Sequence, residues 1–202
     1  IGVRAFRGSD RPPPPRARVA HFARDELRPG VRRLGAVEVE LTASVQAEAA
    51  TFQGVVRNSG DEPVFIESVV LGFRMTGHEA GVLRFLRNGW QSWSLTATKE
   101  LDDEGEPAFP SSPWLRGMHH VVNEHPSDRA GWHESATVSV AGSGAGQPAC
   151  LAGVLERGNT FGVVYLRREG DAVLVEVEQR IETPFSGGES RTLDPVRVAL
   201  GD

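Results

Sequence analysis

The sequence is poor in cysteine, in excess basic charge and in long apolar runs. Cys150, whose neighbours predict a buried side chain, is the only cysteine among 202 residues, so no intrachain disulfide can form and the fold does not depend on an oxidising compartment. Acidic residues outnumber lysine and arginine by 27 to 22, and the net charge of -5 argues against electrostatic binding to nucleic acid. The longest apolar runs, such as Val69-Val70-Leu71, are far too short to span a bilayer. We expect a soluble, cytoplasmic protein with no nucleic-acid or membrane partner.

Residues 1–34 differ from the rest of the chain in their arginine and proline content. The proline run at 12–15 is expected to be extended and polyproline-like. A short helical turn at Ala23–Leu27 would end at the Pro-Gly pair that follows it. We interpret this segment as a solvated tail rather than a nucleic-acid-binding arm. Because the chain starts at Ile1, the native N-terminus need not be present.

From residue 35 to 202, apolar and polar residues alternate with the period of two that is typical of half-buried strands. Turn signals separate the runs, and Arg167–Asp171 predicts a hairpin turn. The stretch from Thr98 to Trp132 breaks the pattern and is predicted to be a long irregular loop. Many short strands joined by short turns predict an all-β domain built from two packed sheets. The predicted strands are Val37–Leu41, Thr51–Arg57, Val64–Met75, Val82–Leu86, Ala136–Val140, Cys150–Glu156, Phe161–Arg167, Ala172–Gln179 and Val196–Leu200.

Three groups of residues partly resemble known functional motifs, namely a phosphate loop, a carboxylate pair and a zinc site, but none of them matches. The stretch Gly142–Gly146 lacks the lysine and the following helix of a phosphate loop, which predicts a turn between strands. The acidic run between Glu100 and Glu106 lies in a loop, where a carboxylate pair about 5 Å apart, as retaining glycosidases need, is not expected. We predict no catalytic residue, metal site or cofactor in this chain. Four histidines match no zinc spacing and are expected to be solvated or hydrogen-bonded: His119, His120, His125 and His133.

One segment, Phe85–Ser94, differs in kind because it holds two of the four tryptophans, three residues apart. On an ideal strand Trp90 and Trp93 face opposite sides, so at least one points away from the core unless a bulge intervenes. Asn88-Gly89 predicts a bend just before them. An indole near a bend can pack against the apolar face of a pyranose ring. Packing of both indoles in the core is the alternative that the pattern alone favours.

The run Asn88-Gly89-Trp90-Gln91-Ser92-Trp93-Ser94 resembles the N-terminal-domain motif of glycoside hydrolase family 36, the melibiase and raffinose-type α-galactosidases. The resemblance implies a galactose-mutarotase-like β-supersandwich with two mainly antiparallel sheets, followed in the same polypeptide by a catalytic (β/α)8 barrel. It also implies a substrate-binding set of Trp93, Trp90, Gln91 and Asn88, in which Trp93 forms a wall of the galactose pocket. Trp90 stands where many relatives have tyrosine.

The nucleophile and the acid/base of that family are aspartates of the barrel, and the tryptophan-cysteine-serine-tryptophan segment that opens the barrel is absent from this sequence. The predicted function is therefore the N-terminal domain of a retaining α-galactosidase. The domain would close the pocket around a galactoside and support assembly, with homo-oligomers as a further expectation. Two alternatives stay open: a stand-alone carbohydrate-binding β-sandwich, and a structural domain in which Trp90 and Trp93 are both buried.

Overall fold

The computed structural model describes part of the chain. It covers the backbone of residues 2–7 and, with their side chains, residues 30–75, 82–89, 96–102, 131–143, 149–155, 158, 160–170 and 172–201. These residues form strands and turns, without a helix in the described part. Over the same residues, no helix long and apolar enough to cross a membrane is found. The predicted polyproline run and the helical turn at Ala23–Leu27 lie outside the described residues.

The strands, in chain order, are β1 Gly2–Arg7, β2 Gly30–Leu34, β3 Val37–Gln46, β4 Ala49–Asn58, β5 Val64–Met75, β6 Arg84–Arg87, β7 Ala97–Glu100, β8 His133–Ala136, β9 Val138–Gly142, β10 Ala149–Val154, β11 Phe161–Glu169, β12 Ala172–Phe185, β13 Ser190–Thr192 and β14 Val196–Gly201. Sheet A has the order β1-β5-β12-β11-β8. Sheet B has the order β2-β3-β4-β14-β10-β9-β6-β7, with β13 also paired to β4. The paired strands are antiparallel, so the predicted all-β fold with two sheets is confirmed.

The main core lies between the two sheets. Sheet B contributes Phe52 and Phe85, and sheet A contributes Leu71, Val164 and Val175, all at most 5% exposed. Each such side chain stabilises the fold by about 1.5–3 kcal/mol when it leaves water. One cavity between the sheets, lined mainly by apolar side chains, has room for about one water molecule and not for a sugar.

Sheet A is also buried on its outer face, which points away from sheet B. The first eight residues of β12 are all buried, with no alternation. In β11, Val164 and Leu166 join the main core, whereas Val163 and Tyr165 pack on the other side with Trp132. Two-sided burial explains the continuous apolar run at positions 163–166 of β11, whereas on β12 the buried outer-face positions include Glu176 and Glu178.

Several predicted strands match the structure closely, and the differences have physical reasons. The strand Val64–Met75 is confirmed residue for residue, and the Arg167–Asp171 hairpin is confirmed by the pairing of Glu169 with Ala172 across Gly170, whose φ is 62°. The N-terminal segment 1–34 is not separate from the sheets, because β1 pairs with β5 and β2 with β3. Both strands are rich in arginine, so they lack the apolar alternation that identifies a strand.

Candidate functional site

The motif segment connects the two strands of a hairpin at one edge of sheet B. Strands β6 and β7 pair antiparallel, from Arg84 opposite Glu100 to Arg87 opposite Ala97. Residues 88–96 join them. The prediction of a long loop starting at Thr98 was wrong at its beginning, because β7 occupies Ala97–Glu100. This strand is short, polar and at the sheet edge, so it lacks the apolar signal of a buried strand.

The four predicted substrate-binding residues divide between described and undescribed positions. Trp90, Gln91 and Trp93 lie outside the described residues. Asn88 is described: it follows β6 directly, is half-buried, and comes before Gly89 at the predicted bend. Substrate binding by all four residues therefore remains a prediction.

The two ends of the motif segment are joined by hydrogen bonds, and we call Asn88, Gly89 and Thr96 the neck. The backbone N–H of Gly89 donates to Thr96 Oγ1 at 3.1 Å, and Thr96 Oγ1 donates to Asn88 Oδ1 at 3.4 Å. Residues 89 and 96 flank the six motif residues 90–95. The neck therefore fixes the entry of that segment against its exit.

The neck is also bonded to sheet A through β8. Asn88 Nδ2 donates to the carbonyl of Ala136 at 2.9 Å, and the backbone N–H of Ala136 donates to the carbonyl of Asn88 at 2.9 Å. The backbone N–H of Asn88 donates to Ser135 Oγ at 2.8 Å. Since β6 and β7 belong to sheet B and β8 to sheet A, Asn88 connects the two sheets.

Two buried serines support this connection, and no sequence motif distinguishes either of them. Ser135 and Ser139 are each 1% exposed. Ser139 Oγ donates to the carbonyl of Leu86 at 2.8 Å, and Ser135 Oγ donates to the carbonyl of Val138 at 2.6 Å. Buried hydroxyls need such partners because an unsatisfied polar group is costly away from water. The serines thus hold the end of β6 in place.

Between the two serines, the chain passes from sheet A to sheet B. The predicted single strand Ala136–Val140 is instead two strands, because Thr137 has a φ of 64° and interrupts the extended backbone. A left-handed conformation is unusual for a β-branched residue and costs about 1–3 kcal/mol. Thr137 is fixed on both sides: its N–H donates to the carbonyl of Gly162 and its carbonyl accepts from the N–H of Val154.

The outer face of sheet A, next to β8, carries a buried polar network. Glu178 is 4% exposed and accepts hydrogen bonds from Ser68 Oγ at 2.8 Å and Tyr165 Oη at 3.2 Å. Arg180 donates to Tyr165 Oη at 2.9 Å and lies 3.4 Å from Glu178 Oε2. Glu178 therefore joins Ser68, Tyr165 and Arg180 in one buried network.

Charge connects this network to the end of β6. Tyr165 lies between Glu134 on β8 and Glu176 on β12 in the sheet register. Burial raises the pKa of Tyr165, and the charges of Glu178 and Glu134 raise it further, so the phenol stays protonated at neutral pH. Burial lowers the pKa of Arg87, and the charge of Glu134 offsets part of that effect. Glu134 thus acts electrostatically on both Arg87, next to the neck, and Tyr165.

The other sequence candidates fall into structural roles where they are described. His133 Nε2 lies 2.7 Å from the carbonyl of Leu101 and its ring packs on Phe85, which makes it a hydrogen-bonded, buried histidine. His119, His120 and His125 lie outside the described residues. Asp102 pairs with Arg168 and Glu100 with Arg84. Within the described ranges, no group of three or more metal-ligating side chains is found.

Two further sequence candidates are resolved by the strand pairing. The glycine-rich stretch after Gly142 connects β9 to β10, whose residues Gly142 and Ala149 are paired, and residues 144–148 of the predicted turn lie outside the described residues. Cys150 is 2% exposed, as predicted, and burial raises the pKa of its thiol to about 11. A thiol of this kind is a poor nucleophile at neutral pH.

The fold belongs to the galactose-mutarotase-like class of β-sandwiches. No protein-family model and no curated sequence matches the chain. Among solved structures, the galactosidase domain of the α-galactosidase–sucrose kinase AgaSK matches with a TM-score of 0.51 at 12% identity, over 98% of this chain and 27% of that one. A candidate aldose 1-epimerase from Escherichia coli K12 matches with a TM-score of 0.52 at 10% identity, over 85% of this chain and 63% of that one. The GH36 α-galactosidase AgaB from Geobacillus stearothermophilus has a TM-score of 0.48.

These identities establish a likeness of fold. The chain spans about a quarter of the length of AgaSK's galactosidase domain, and less than two thirds of the epimerase. The matched fold is thus found both as a part of a longer α-galactosidase polypeptide and in a smaller sugar-related protein.

Proposed function

We propose that this chain is the N-terminal β-sandwich domain of a family 36-type α-galactosidase and that it contributes part of a galactose pocket. One observation carries the proposal: the tryptophan-rich motif is inserted between the two sides of a hydrogen-bonded neck at the edge of a sandwich that a galactosidase matches over 98% of this chain. A neck of this kind supports a binding element, because a rigid sheet then presents the side chains of the connecting segment.

In this proposal Trp93 forms a wall of the sugar pocket, and Trp90, Gln91 and Asn88 complete the substrate-binding set. The indole would cover the apolar face of galactose and exclude water from it. Terminal α-galactosides would be hydrolysed with retention by two aspartates of a barrel in the same polypeptide. The sandwich would position the sugar and support assembly of the enzyme, including homo-oligomers, in the cytoplasm.

Three described carboxylates have structural partners. Glu178 accepts from three donors, and Glu100 and Asp102 pair with arginines on the surface. A retaining glycosidase needs one carboxylate as nucleophile and a second as acid/base, and the proposal assigns both roles to the barrel.

The test is the reading frame beyond residue 202, followed by expression of the longer polypeptide. The proposal expects a barrel with two aspartates, turnover of p-nitrophenyl α-galactoside by the longer protein, and no turnover by residues 1–202 alone. A longer protein that is folded but inactive on α-galactosides would contradict the α-galactosidase assignment.

A stand-alone carbohydrate-binding sandwich is the second candidate, and the match to the epimerase favours it because this chain spans 63% of that protein. Calorimetry with galactose separates the two candidates. If most of the pocket belongs to a barrel, the isolated chain binds with a dissociation constant of millimolar or weaker, which corresponds to about 4 kcal/mol. Micromolar binding by residues 1–202 would favour the stand-alone module.

A further inference from the structure

We infer that Asn88 is a positioning residue, which fixes the motif segment 90–95 relative to sheet A. The inference rests on the proposed function for its consequence in catalysis, but its structural content can be measured without a sugar. The sequence predicted that Asn88 contacts the substrate. The inference instead gives Asn88 an indirect role, through its hydrogen bonds to the protein.

The hydrogen bonds of Asn88 reach two separate parts of the chain. Its carboxamide Nδ2 donates to the carbonyl of Ala136 in β8, and its Oδ1 accepts from Thr96 before β7. Its backbone N–H and carbonyl are bonded to Ser135 Oγ and to the N–H of Ala136. Of the four hydrogen bonds that a carboxamide can make, the protein uses one donor and one acceptor. Both the side chain and the backbone of this residue therefore bind the neck to β8.

The identity of the residue follows from these contacts. Aspartate has the same size but lacks the N–H that the carbonyl of Ala136 accepts, so it would place two acceptors against each other. Alanine keeps both backbone hydrogen bonds and loses both side-chain ones. The hydroxyl of Thr96 has a matching requirement, since it accepts from Gly89 and donates to Asn88. Serine can keep these two bonds and valine cannot.

The position of this contact explains why it matters for a site and not only for stability. Hairpin β6–β7 is held to β9 through only two paired residues, Arg84 and Phe85, and β7 is an edge strand. Sheet register alone therefore leaves the far end of the hairpin weakly fixed. At that end, the hydroxyls of Ser135 and Ser139 bind the carbonyl of Leu86, and Asn88 adds side-chain and backbone hydrogen bonds to β8.

The experiment compares Asn88→Ala with Asn58→Ala as a matched control. Asn58 also ends a strand and also donates its Nδ2 to backbone carbonyls, those of Glu62, Phe185 and Ser186, but it is not part of the neck. The fluorescence of Trp93 is obtained as the difference between each protein and the same protein carrying Trp93→Phe. Acrylamide quenching and the emission maximum of that difference are then measured under conditions in which every variant is folded.

We expect Asn88→Ala, Asn88→Asp and Thr96→Val to shift the quenching and emission of Trp93, and Thr96→Ser and Asn58→Ala to leave them unchanged. In the longer enzyme, kcat/KM on p-nitrophenyl α-galactoside should fall roughly 10- to 100-fold in the first three variants, because a misplacement of about 1 Å costs up to about 100-fold.

The outcomes separate the inference from the proposed function. An unchanged Trp93 signal in Asn88→Ala overturns the positioning role, and a loss of activity without that shift would make Asn88 a direct ligand. A shifted Trp93 signal with full activity supports the positioning role and contradicts the pocket assignment of Trp93. A shift of equal size in Asn58→Ala would show a general loosening of the fold and would also overturn the inference.

Discussion

Two asparagines end strands in this sandwich, and they use the same chemistry for different purposes. Asn58 ends β4 and is fully buried; its Nδ2 reaches three carbonyls within 3.2 Å, and its Oδ1 accepts from the N–H of Gly60. Asn88 follows β6, is half-buried, and shares its hydrogen bonds between the two sheets. The first arrangement closes a short turn upon the core. The second joins the two ends of a segment that carries two tryptophans, and this difference is the basis of the positioning role inferred for Asn88.

The largest expected effect is the loss of unfolding free energy in Asn58→Ala. Asn58→Ala removes one acceptor and donors to several buried carbonyls, and each group left unsatisfied costs about 1–3 kcal/mol. We expect a loss of about 3 kcal/mol of unfolding free energy in urea titrations, against about 1 kcal/mol for the half-buried Asn88→Ala. Equal losses of unfolding free energy for the two variants would contradict the distinction drawn between Asn58 and Asn88.

The main core should respond to alkaline pH through Cys150, which is buried there. Burial raises the pKa of its thiol from 9.0 to about 11 in the folded state, so the unfolded state releases the proton first as the pH rises. The part of the stability that depends on Cys150 should be unaffected below pH 9 and fall by about 2–3 kcal/mol as the pH rises from about 9 to about 11. Urea denaturation across this range should show a smaller fall in Cys150→Ala. The two asparagine variants should keep the pH dependence of the unchanged protein, since neither contacts the thiol.

Trp93→Ala in the longer polypeptide tests whether the segment held by the neck contributes to catalysis. Removing one wall of the pocket should lower kcat/KM roughly 10- to 200-fold, the range for a single pocket contact, and leave partial activity because the aspartates are untouched. Trp90→Phe should cost less. Circular dichroism and thermal unfolding serve as controls for folding. If Trp93→Ala is unfolded, Trp93 is a core residue. If the variant keeps full activity, Trp93 is a surface residue with no role in binding the sugar.

The smallest expected effect is the change in stability caused by a substitution in the turn between β3 and β4. Ala47 is the first residue of the two-residue turn between β3 and β4 and has a φ of 50°, where an L-residue with a side chain is strained. Ala47→Gly should stabilise the domain by about 1 kcal/mol, measured as an increase in the urea midpoint at constant slope. A loss of stability would mean that the entropy of glycine in the unfolded chain outweighs the strain.

Sequence patterns predicted the fold where burial is one-sided or where turn residues are distinctive. The alternation in β3 and the turn at Gly170 are examples, and both are confirmed. Patterns failed for β7 and for the interruption at Thr137, because an edge strand needs no apolar residues and nothing local distinguishes a threonine with positive φ. The site divides in the same way. Asn88 was found through the motif, whereas Ser135 and Ser139 are ordinary serines that matter only through contacts far apart in sequence.

The position of β14 has a consequence for synthesis of the chain on the ribosome. This strand, the last of those described, lies inside sheet B between β4 and β10, and among the described strands no other pairing joins these two. Until residues 196–201 emerge from the exit tunnel, the halves β2-β3-β4 and β10-β9-β6-β7 each present an open edge. Unpaired edges invite aggregation, so the nascent chain depends on β14 to close both at once. Translation must therefore run through the whole domain before its larger sheet can exist.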